Sequence, residues 1–254
     1  MASPITTTTL LGTYLGTHSY AAAQLTQAVG WANDAVEKYT GRIFALTTYR
    51  EWIRLYGAKQ IQVDQWPITS IFYVASGTSN VMSVTYTSSD TNAVAQVGIT
   101  DNATLMLSYG DPYNSTEISL AAGITMAALR LLIIAETGWT TTVVNETSSA
   151  ALKPMASTSV LNTTVYLEGP ESALELVDTD VASGLLTAGS PINDWVFVDY
   201  EAGYATYPPE LEQIATEMAA AILRTDPAVS SERVGNTQFT YAGGGDVLSA
   251  FHPR

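Results

Sequence analysis

The sequence of 254 residues contains no cysteine, which excludes disulfide bonds, thiolate nucleophiles and zinc sites built on sulfur. It has only two histidines, His18 and His252, and neither has another potential metal ligand at a useful spacing. Long apolar runs are also missing, because the most apolar segment, 126–135, is too short to cross a bilayer. The first residues lack a basic segment followed by an apolar run, so we expect a soluble protein without a secretion signal.

Charge is scarce, and positive charge especially so. Charged residues make up 13% of the chain, and 24 acidic side chains against 10 basic ones give a formal net charge of −14. Such a surface repels phosphate, which disfavours a protein that grips nucleic acid. It is compatible with a passage through which DNA slides, since an acidic wall makes few contacts with phosphate.

The residues that are abundant predict a folded, β-rich body with a few helices. Hydrophobic residues, at 46%, suffice for a core, and the many threonines, serines and asparagines favour strands and turns. A helix over 20–40 is predicted from an apolar stripe that consists of Leu25, Ala28, Val29, Ala32, Val36 and Tyr39. A last helix is predicted from Pro208-Pro209 to Arg224, with one face formed by Leu211, Ile214, Met218, Ala221 and Ile222. A short buried helix is predicted over 126–135, with Thr125 as its N-cap.

Alternating and β-branched patterns predict the strands. Segments 43–57 and 59–74, separated by Gly57-Ala58-Lys59, predict a hairpin with Pro67 at the start or the edge of its second half. Residues 76–115 predict a meander of short strands. Further strands are predicted at 117–121, 139–144, 164–167, 173–177 and 195–200.

Segments at the two ends of the chain resemble one family of proteins. In chain order they are AVEKYTGRIF (35–44), TYREWIRLYG (48–57), Trp66-Pro67-Ile68 with SIFYV (70–74), VFVDYEAGYATYPPELEQIATEMAAAIL (196–223) and AVSSERVGNTQFTY (228–241). Together they resemble the adaptor, or head-completion, proteins that lie beneath the portal of long-tailed phages. The compact members of that family have only a short connection where this chain has residues 76–195.

The resemblance implies an α+β fold in which a helical adaptor core is split by an inserted β-rich domain containing one short helix. The core would consist of the N-terminal helix, the hairpin and the C-terminal helix. Residues 1–75 and 196–254 would form this core and a C-terminal arm, and residues 76–195 would form the insertion.

The resemblance also implies a structural virion protein without membrane association. The protein would be made in the host cytoplasm and would lie in the neck of the virion, between capsid and tail. Identical subunits would form a ring, commonly of twelve, that binds the portal protein above and the next neck or tail-completion protein below. DNA would pass through the ring without being specifically bound.

The segment after the last helix is the arm that, by this resemblance, reaches toward the portal. Its predicted contact residues are Ser231, Glu232, Arg233, Val234, Gly235, Phe239, Tyr241 and Phe251. The residues themselves also favour an arm, because no helical stripe follows Pro227 and three glycines at 243–245 accompany aromatic side chains with no evident local core. The alternative is an ordinary C-terminal strand laid on the protein's own sheet.

No arrangement of residues predicts catalysis, a cofactor or a metal, and we do not expect an enzyme. No Gly-x-Ser-x-Gly elbow is present, and the glycines at 243–245 lack the following lysine of a phosphate-binding loop. The acidic stretch 168–180 alternates with apolar residues, which indicates the solvent face of a strand and its turns rather than a pair of glycosidase carboxylates. A hydrolase assembled from distant residues is only a residual possibility.

The tryptophans support an alternative function, a β-rich virion or surface module that binds glycans. Sugars stack on exposed aromatic faces, and the chain has five tryptophans, at positions 31, 52, 66, 139 and 195. Each of them lies within an apolar pattern, so we predict burial in the core or in a subunit interface.

Overall fold

The chain is mostly β. The computed structural model describes residues 4–16, 20–90, 93–100, 104–110, 113–121 and 123–224, together with the backbone of 231–234 and 237–240. Of the described residues, 46% lie in strands and 26% in helices. The predicted α+β class with a helical adaptor core is therefore wrong. Segments that the prediction assigned to that core, including 68–75 and 196–202, lie in strands of a large antiparallel sheet.

The described part has four α-helices and a short 3-10 turn. The helices are α1 (Thr8–Leu15), α2 (Ala22–Thr40), α3 (Met126–Ile134) and α4 (Pro209–Arg224), and the turn is Ser149–Ala151. The strands are β1 (Thr47–Arg54), β2 (Ala58–Gln62), β3 (Ile68–Tyr86), β4 (Val94–Thr100), β5 (Thr104–Gly110), β6 (Asn114–Ser119), β7 (Trp139–Val143), β8 (Met155–Ser159), β9 (Val165–Ala173), β10 (Leu176–Asp180), β11 (Leu185–Ile192), β12 (Trp195–Ala202), β13 (Ser231–Val234) and β14 (Thr237–Thr240).

The chain divides into two compact units. One combines Met1–Leu46 with Gly203–Arg254 and contains α1, α2 and α4; the other is Thr47–Ala202 and contains β1 to β12 with α3. The sequence-based division, with 76–195 as the insertion, stays a prediction. Strand β3 runs without interruption across the predicted boundary between residues 75 and 76.

In the helical unit, α2 and α4 pack through small side chains. The stripe predicted on α2 is confirmed at its centre, where Ala28, Val29, Ala32 and Val36 are buried, whereas Tyr39 is exposed. The face predicted for α4 is wrong in part: the buried residues are Ala215, Thr216, Met218, Ala219 and Ala220, and Ile214 is exposed. Alanines on both helices allow close approach, so the contact follows the small residues rather than the large ones.

A buried polar contact joins the segment before α1 to α2 and α4. The Thr6 and Thr216 hydroxyls lie 2.7 Å apart, and the Thr6 backbone N–H donates to Asn33 Oδ1 at 3.0 Å. Thr216 Oγ1 also donates to the Glu212 carbonyl at 2.6 Å, so the Thr6 hydroxyl donates to Thr216 and both buried hydroxyls are satisfied. Helix α1 itself was not predicted, because its Thr-rich sequence has weak helix propensity; Thr7 caps it by accepting from the Leu10 N–H at 3.2 Å.

Gly203 lies where the chain re-enters the helical unit. The following Tyr204 N–H donates to the Phe44 carbonyl at 2.8 Å, which draws residues 203–204 against residues 44–45. Gly203 has φ +107°, and a Cβ on it would lie 2.5 Å from the Ala45 carbonyl oxygen. The Ala-Gly-Tyr segment at 202–204 therefore requires glycine at its centre.

The β unit contains three antiparallel sheets. A five-stranded sheet has the order β1-β12-β3-β7, with β9 paired to β3. A four-stranded sheet has the order β6-β5-β4-β8, and a three-stranded sheet the order β10-β11-β2. The predicted meander is confirmed in β4, β5 and β6, and the predicted short helix is confirmed in α3, whose N-cap Thr125 accepts from the Ala128 N–H at 3.2 Å.

The predicted hairpin of residues 43–74 is wrong. Strand β12 lies between β1 and β3, so that Trp52 faces Phe197 and Val198 faces Val74, while β2 pairs with β11 in another sheet. Alternating apolar residues satisfy any antiparallel partner equally well, and the partner here comes from a segment more than a hundred residues away. Pro67 directly precedes β3 and so lies between two strands of different sheets rather than in one arm of a hairpin.

The β unit has two hydrophobic cores, and β3 contributes to both. One core gathers β3, β4, β5 and α3 and includes Val81, Met82, Leu105, Leu107, Leu129 and Ile133. The other gathers β2, β3, β11 and β12 and includes Ile61, Val74, Leu186, Val196, Val198 and Tyr200. The single long strand therefore holds the sheets together.

Replacing Gly203 by alanine should destabilise the helical unit. The new Cβ clashes with backbone atoms and the residue keeps an unfavourable φ, so we expect a loss of roughly 3 kcal/mol in the free energy of unfolding. Gly30→Ala is the matched control: it lies on the exposed side of α2, its Cβ meets nothing within 4 Å, and it should gain about 0.5–1 kcal/mol. Urea unfolding measures both variants, and equal effects would contradict the assignment.

Candidate interaction surfaces

One face of the five-stranded sheet carries a row of aromatic side chains. Trp52 on β1 lies opposite Phe197 on β12, with ring centroids 5.2 Å apart, and the Tyr73 ring on β3 lies 6.3 Å from Phe197. Phe197 is 1% exposed, whereas Tyr73 is 40% exposed. The row therefore begins within the sheet and ends at the surface.

Ion pairs surround this row. Arg50 Nε lies 3.2 Å from Asp199 Oδ2, and Arg54 Nη1 lies 2.8 Å from Asp194 Oδ1. Trp195 lies between two cations, with Lys153 Nζ 4.7 Å from its ring centroid and the Arg54 guanidinium 5.9 Å away. Aromatic side chains and arginine within a polar rim are the composition of protein-binding surfaces.

Lys153 takes part in two interactions, an ion pair and a cation–π contact. Its Nζ lies 2.7 Å from Glu168 Oε2 as well as over the Trp195 ring. Glu168 belongs to the acidic stretch 168–180, and the rest of that stretch is consistent with the predicted solvent face because Glu171, Glu175, Asp178 and Asp180 are exposed. These carboxylates are spread along a strand and its turns and do not gather in a cleft.

A carboxyl group lies on the opposite face of the same sheet, beside the second core. The Glu51 carboxylate accepts hydrogen bonds from the Tyr200 hydroxyl and from the Asp64 N–H, the latter at 3.1 Å. Burial raises the pKa of Glu51 above its ordinary value, and burial together with Glu51 raises the pKa of Tyr200. The Tyr200 hydroxyl also accepts from the Gln65 N–H at 3.1 Å. The cluster ties β1 and β12 to the 63–67 connection, which is a structural use.

A polar groove of about 500 Å³ adjoins Tyr73. It is lined by Tyr73, Ser79, Val81, Asn145, Glu146, Thr147, Pro170 and Glu171. Two of these residues are carboxylates, none is basic, and the Tyr73 ring is its exposed aromatic surface. The groove therefore offers hydrogen-bond acceptors and negative charge to whatever binds there.

Helix α3 presents a second, apolar surface. Its buried side consists of Met126, Leu129 and Ile133, while Leu131 on the opposite side is 60% exposed and Ile134 is 37% exposed. Large apolar side chains exposed along one helix face are typical of an interaction surface.

The predicted arm is only partly within the described residues. Ser231, Glu232, Arg233 and Val234 form β13 and Phe239 lies in β14, whereas Gly235, Tyr241 and Phe251 lie outside the described residues. The two strands pair with each other, Glu232 opposite Phe239 and Arg233 opposite Gln238, and in the described part they pair with no other strand. The backbone of this segment is a hairpin.

The tryptophans vary in burial. Trp139 is buried, Trp52, Trp66 and Trp195 are half-buried, and Trp31 on α2 is 54% exposed. Burial in the protein core is thus wrong for Trp31, although a subunit interface stays a prediction for it. Both histidines lie outside the described residues.

Neither a metal-binding cluster nor a membrane-spanning helix is found among the described residues. No group of three or more histidine, aspartate or glutamate side chains there is arranged to hold a metal ion. None of the helices there is both long and apolar enough to cross a membrane.

Sequence reasoning missed the aromatic face and the groove. Both depend on β12 lying between β1 and β3 and on β9 pairing with β3, which no local pattern shows. One signal was available: Arg50 and Trp52, and likewise Trp195, Phe197 and Asp199, fall on alternate residues, which places rings and charges on one face of a strand.

Replacing Glu51 by glutamine should change how stability depends on pH. The folded-state pKa of Glu51 is raised above its unfolded value near 4.5, so its contribution to stability is fully present below pH 4.5 and is lost as pH rises through the folded pKa. The free energy of unfolding of the original protein, relative to Glu51→Gln, should therefore increase as pH falls from 7 toward 4.5. Glu117→Gln, at an exposed position on β6, controls for net charge, and parallel pH curves for the original protein and Glu51→Gln would refute the assignment.

Comparison with known proteins found no match by either of two routes. No protein-family model matches the chain, and no curated protein matches its sequence.

Proposed function

We propose that this protein is a structural subunit of a tailed-phage neck, a ring-forming adaptor that joins the portal of the capsid to the tail. The observation that carries the proposal is the hairpin β13–β14, which coincides with the segment that the family resemblance assigns to the portal-binding arm. A two-stranded hairpin alone is marginally stable in water, so it favours a segment that is stabilised by docking on a partner. The proposed partner is the portal protein.

The surfaces of the β unit support assembly with other proteins. The aromatic face has an exposed tyrosine, arginines and a rim of ion pairs, and the outer side of α3 is apolar. A ring subunit needs two different contact faces, because each copy meets its two neighbours through different surfaces. The β unit offers such faces without any contribution from a helical adaptor core.

The distribution of charge supports a passage for DNA that does not bind it. Three of the ten basic residues, Arg50, Arg54 and Lys153, are engaged in ion pairs. The acidic excess remains on exposed strands and turns, which disfavours contacts with phosphate. In the proposed ring, DNA is a passing cargo, and the protein is not an enzyme.

Glycan binding, the alternative function, has weaker support. Of the tryptophans in the β unit, Trp139 is buried and the others are half-buried, which leaves less ring surface for stacking on sugars. The groove beside Tyr73 is the position where a sugar could still bind. A glycan array probed with the purified protein distinguishes the two functions, since an adaptor gives no specific signal.

Deleting residues 228–254 should abolish portal binding while the rest of the protein stays folded. The deletion removes the hairpin but none of the buried residues of the three cores. Circular dichroism should show an unchanged fold, and negative-stain microscopy with purified portal rings should show no added density.

Phe239→Ala together with Tyr241→Ala keeps the arm at full length and should weaken binding to the portal by about tenfold or more, as expected for aromatic contact residues. Unchanged attachment of both variants to the portal would contradict the proposal.

A further inference from the structure

Helix α3 is the element whose exposed surface is hardest to explain in an isolated chain. Ala127, Leu131 and Ile134 are spaced by four and three residues and form one apolar stripe on the side away from the core. Leu132 beside the stripe is also exposed. Because the core side of the helix is apolar too, α3 is hydrophobic around most of its circumference, which is typical of a helix that is covered on both sides.

An arginine at the edge of this stripe has no carboxylate partner among the described residues. Arg130 is exposed, and its Nε donates to the Thr141 carbonyl at 3.4 Å, a contact that leaves the two terminal nitrogens of the guanidinium for other partners. No ion pair of Arg130 occurs among the described residues. In a chain with a net charge of −14, a cation at the edge of an apolar stripe favours an acidic partner for this surface.

The groove beside Tyr73 has the complementary chemistry. Glu146 and Glu171 line it, are exposed, and form no ion pair within the described part of the chain. Asn145 and Ser79 add oxygen acceptors, and Tyr73 adds an aromatic face. A guanidinium has five N–H donors in one plane, bonds well to carboxylates and stacks on aromatic rings, so it is the side-chain group that matches these features.

We propose that α3 of one copy docks at the groove of a neighbouring copy, with Arg130 between Glu146 and Glu171 and the apolar stripe covering the rim of the groove. This contact rests on the proposed function, since a ring requires neighbours, and it names the two surfaces through which they meet. The helix is convex and the groove concave, and the two surfaces differ, as a ring requires. Two copies that each carry −14 repel each other, and this contact brings an unpaired cation to unpaired carboxylates.

Cysteine cross-linking tests the contact directly, because the chain has no cysteine of its own. Leu131→Cys places a thiol on the stripe, and Val144→Cys places one next to the groove residue Asn145; both positions are exposed and apolar. Under mild oxidation, a mixture of the two variants should form a disulfide-linked pair containing one chain of each. Each variant alone should form much less. Self-linking of Leu131→Cys at the yield of the mixture would overturn the proposal, because α3 would then meet α3.

Charge reversal tests the role of Arg130. Arg130→Glu in the Leu131→Cys chain should lower the yield of mixed cross-links by about tenfold or more, as expected for loss of a charge-assisted pair. Adding Glu146→Arg to the Val144→Cys chain should restore a substantial part of that yield. Lys38→Glu on the exposed side of α2 changes the net charge by the same amount and should leave the yield unchanged. An equal loss for Lys38→Glu, or no loss for Arg130→Glu, would overturn the role assigned to Arg130.

The outcome separates this inference from the proposed function. Portal rings that carry this protein, combined with an absence of mixed cross-links in those rings, would reject the α3 contact and leave the adaptor function standing. Mixed cross-links in solution without any attachment to the portal would support the contact and reject the adaptor function. Circular dichroism of each cysteine and charge variant shows whether a loss reflects unfolding instead, and the exposed positions of both cysteines make unfolding an unexpected result.

Discussion

The fold of the β unit depends on one strand that serves two hydrophobic cores. Strand β3 has 19 residues and spans about 60 Å. Its first part contributes Ile68 and Val74 to the core beside β2 and β11, and its second part contributes Val81 and Met82 to the core beside β4 and β5. Successive side chains of a strand point to opposite faces, so the pairing register of β3 must place apolar side chains in both cores at once. The register shifts in its pairing with β9 and with β12 allow this.

The elements that could be predicted from sequence are those whose signals are local. Thr125 caps α3, Gly41 ends α2, and Pro208-Pro209 begins α4, each acting on the residues next to it. Strand partners could not be predicted in the same way. Strand β1 has the pattern of a hairpin strand, yet the strand that pairs with it, β12, lies at the other end of the β unit in sequence.

The same limit applies to the interaction surfaces. Trp52, Tyr73 and Phe197 come from three distant segments, and only the order β1-β12-β3 makes them one row. The sequence of α3 is apolar throughout and predicts a buried helix, because a short apolar helix gives no indication of which side contacts the core. Exposure of Leu131 could be recognised only once the core side had been identified as Met126, Leu129 and Ile133.

Correcting the fold class changes what the adaptor proposal depends on. The end segments that carry the resemblance do not form one helical core: 48–57 and 70–74 belong to the β unit, while 203–224 belongs to the helical unit. The resemblance therefore spans both units and does not correspond to one helical core. What remains is chemical: a hairpin that pairs only with itself in the described part, an apolar helix with an unpaired arginine, and an acidic groove. These features favour assembly with other chains, because each of them would gain there a partner that the described part of the single chain does not provide.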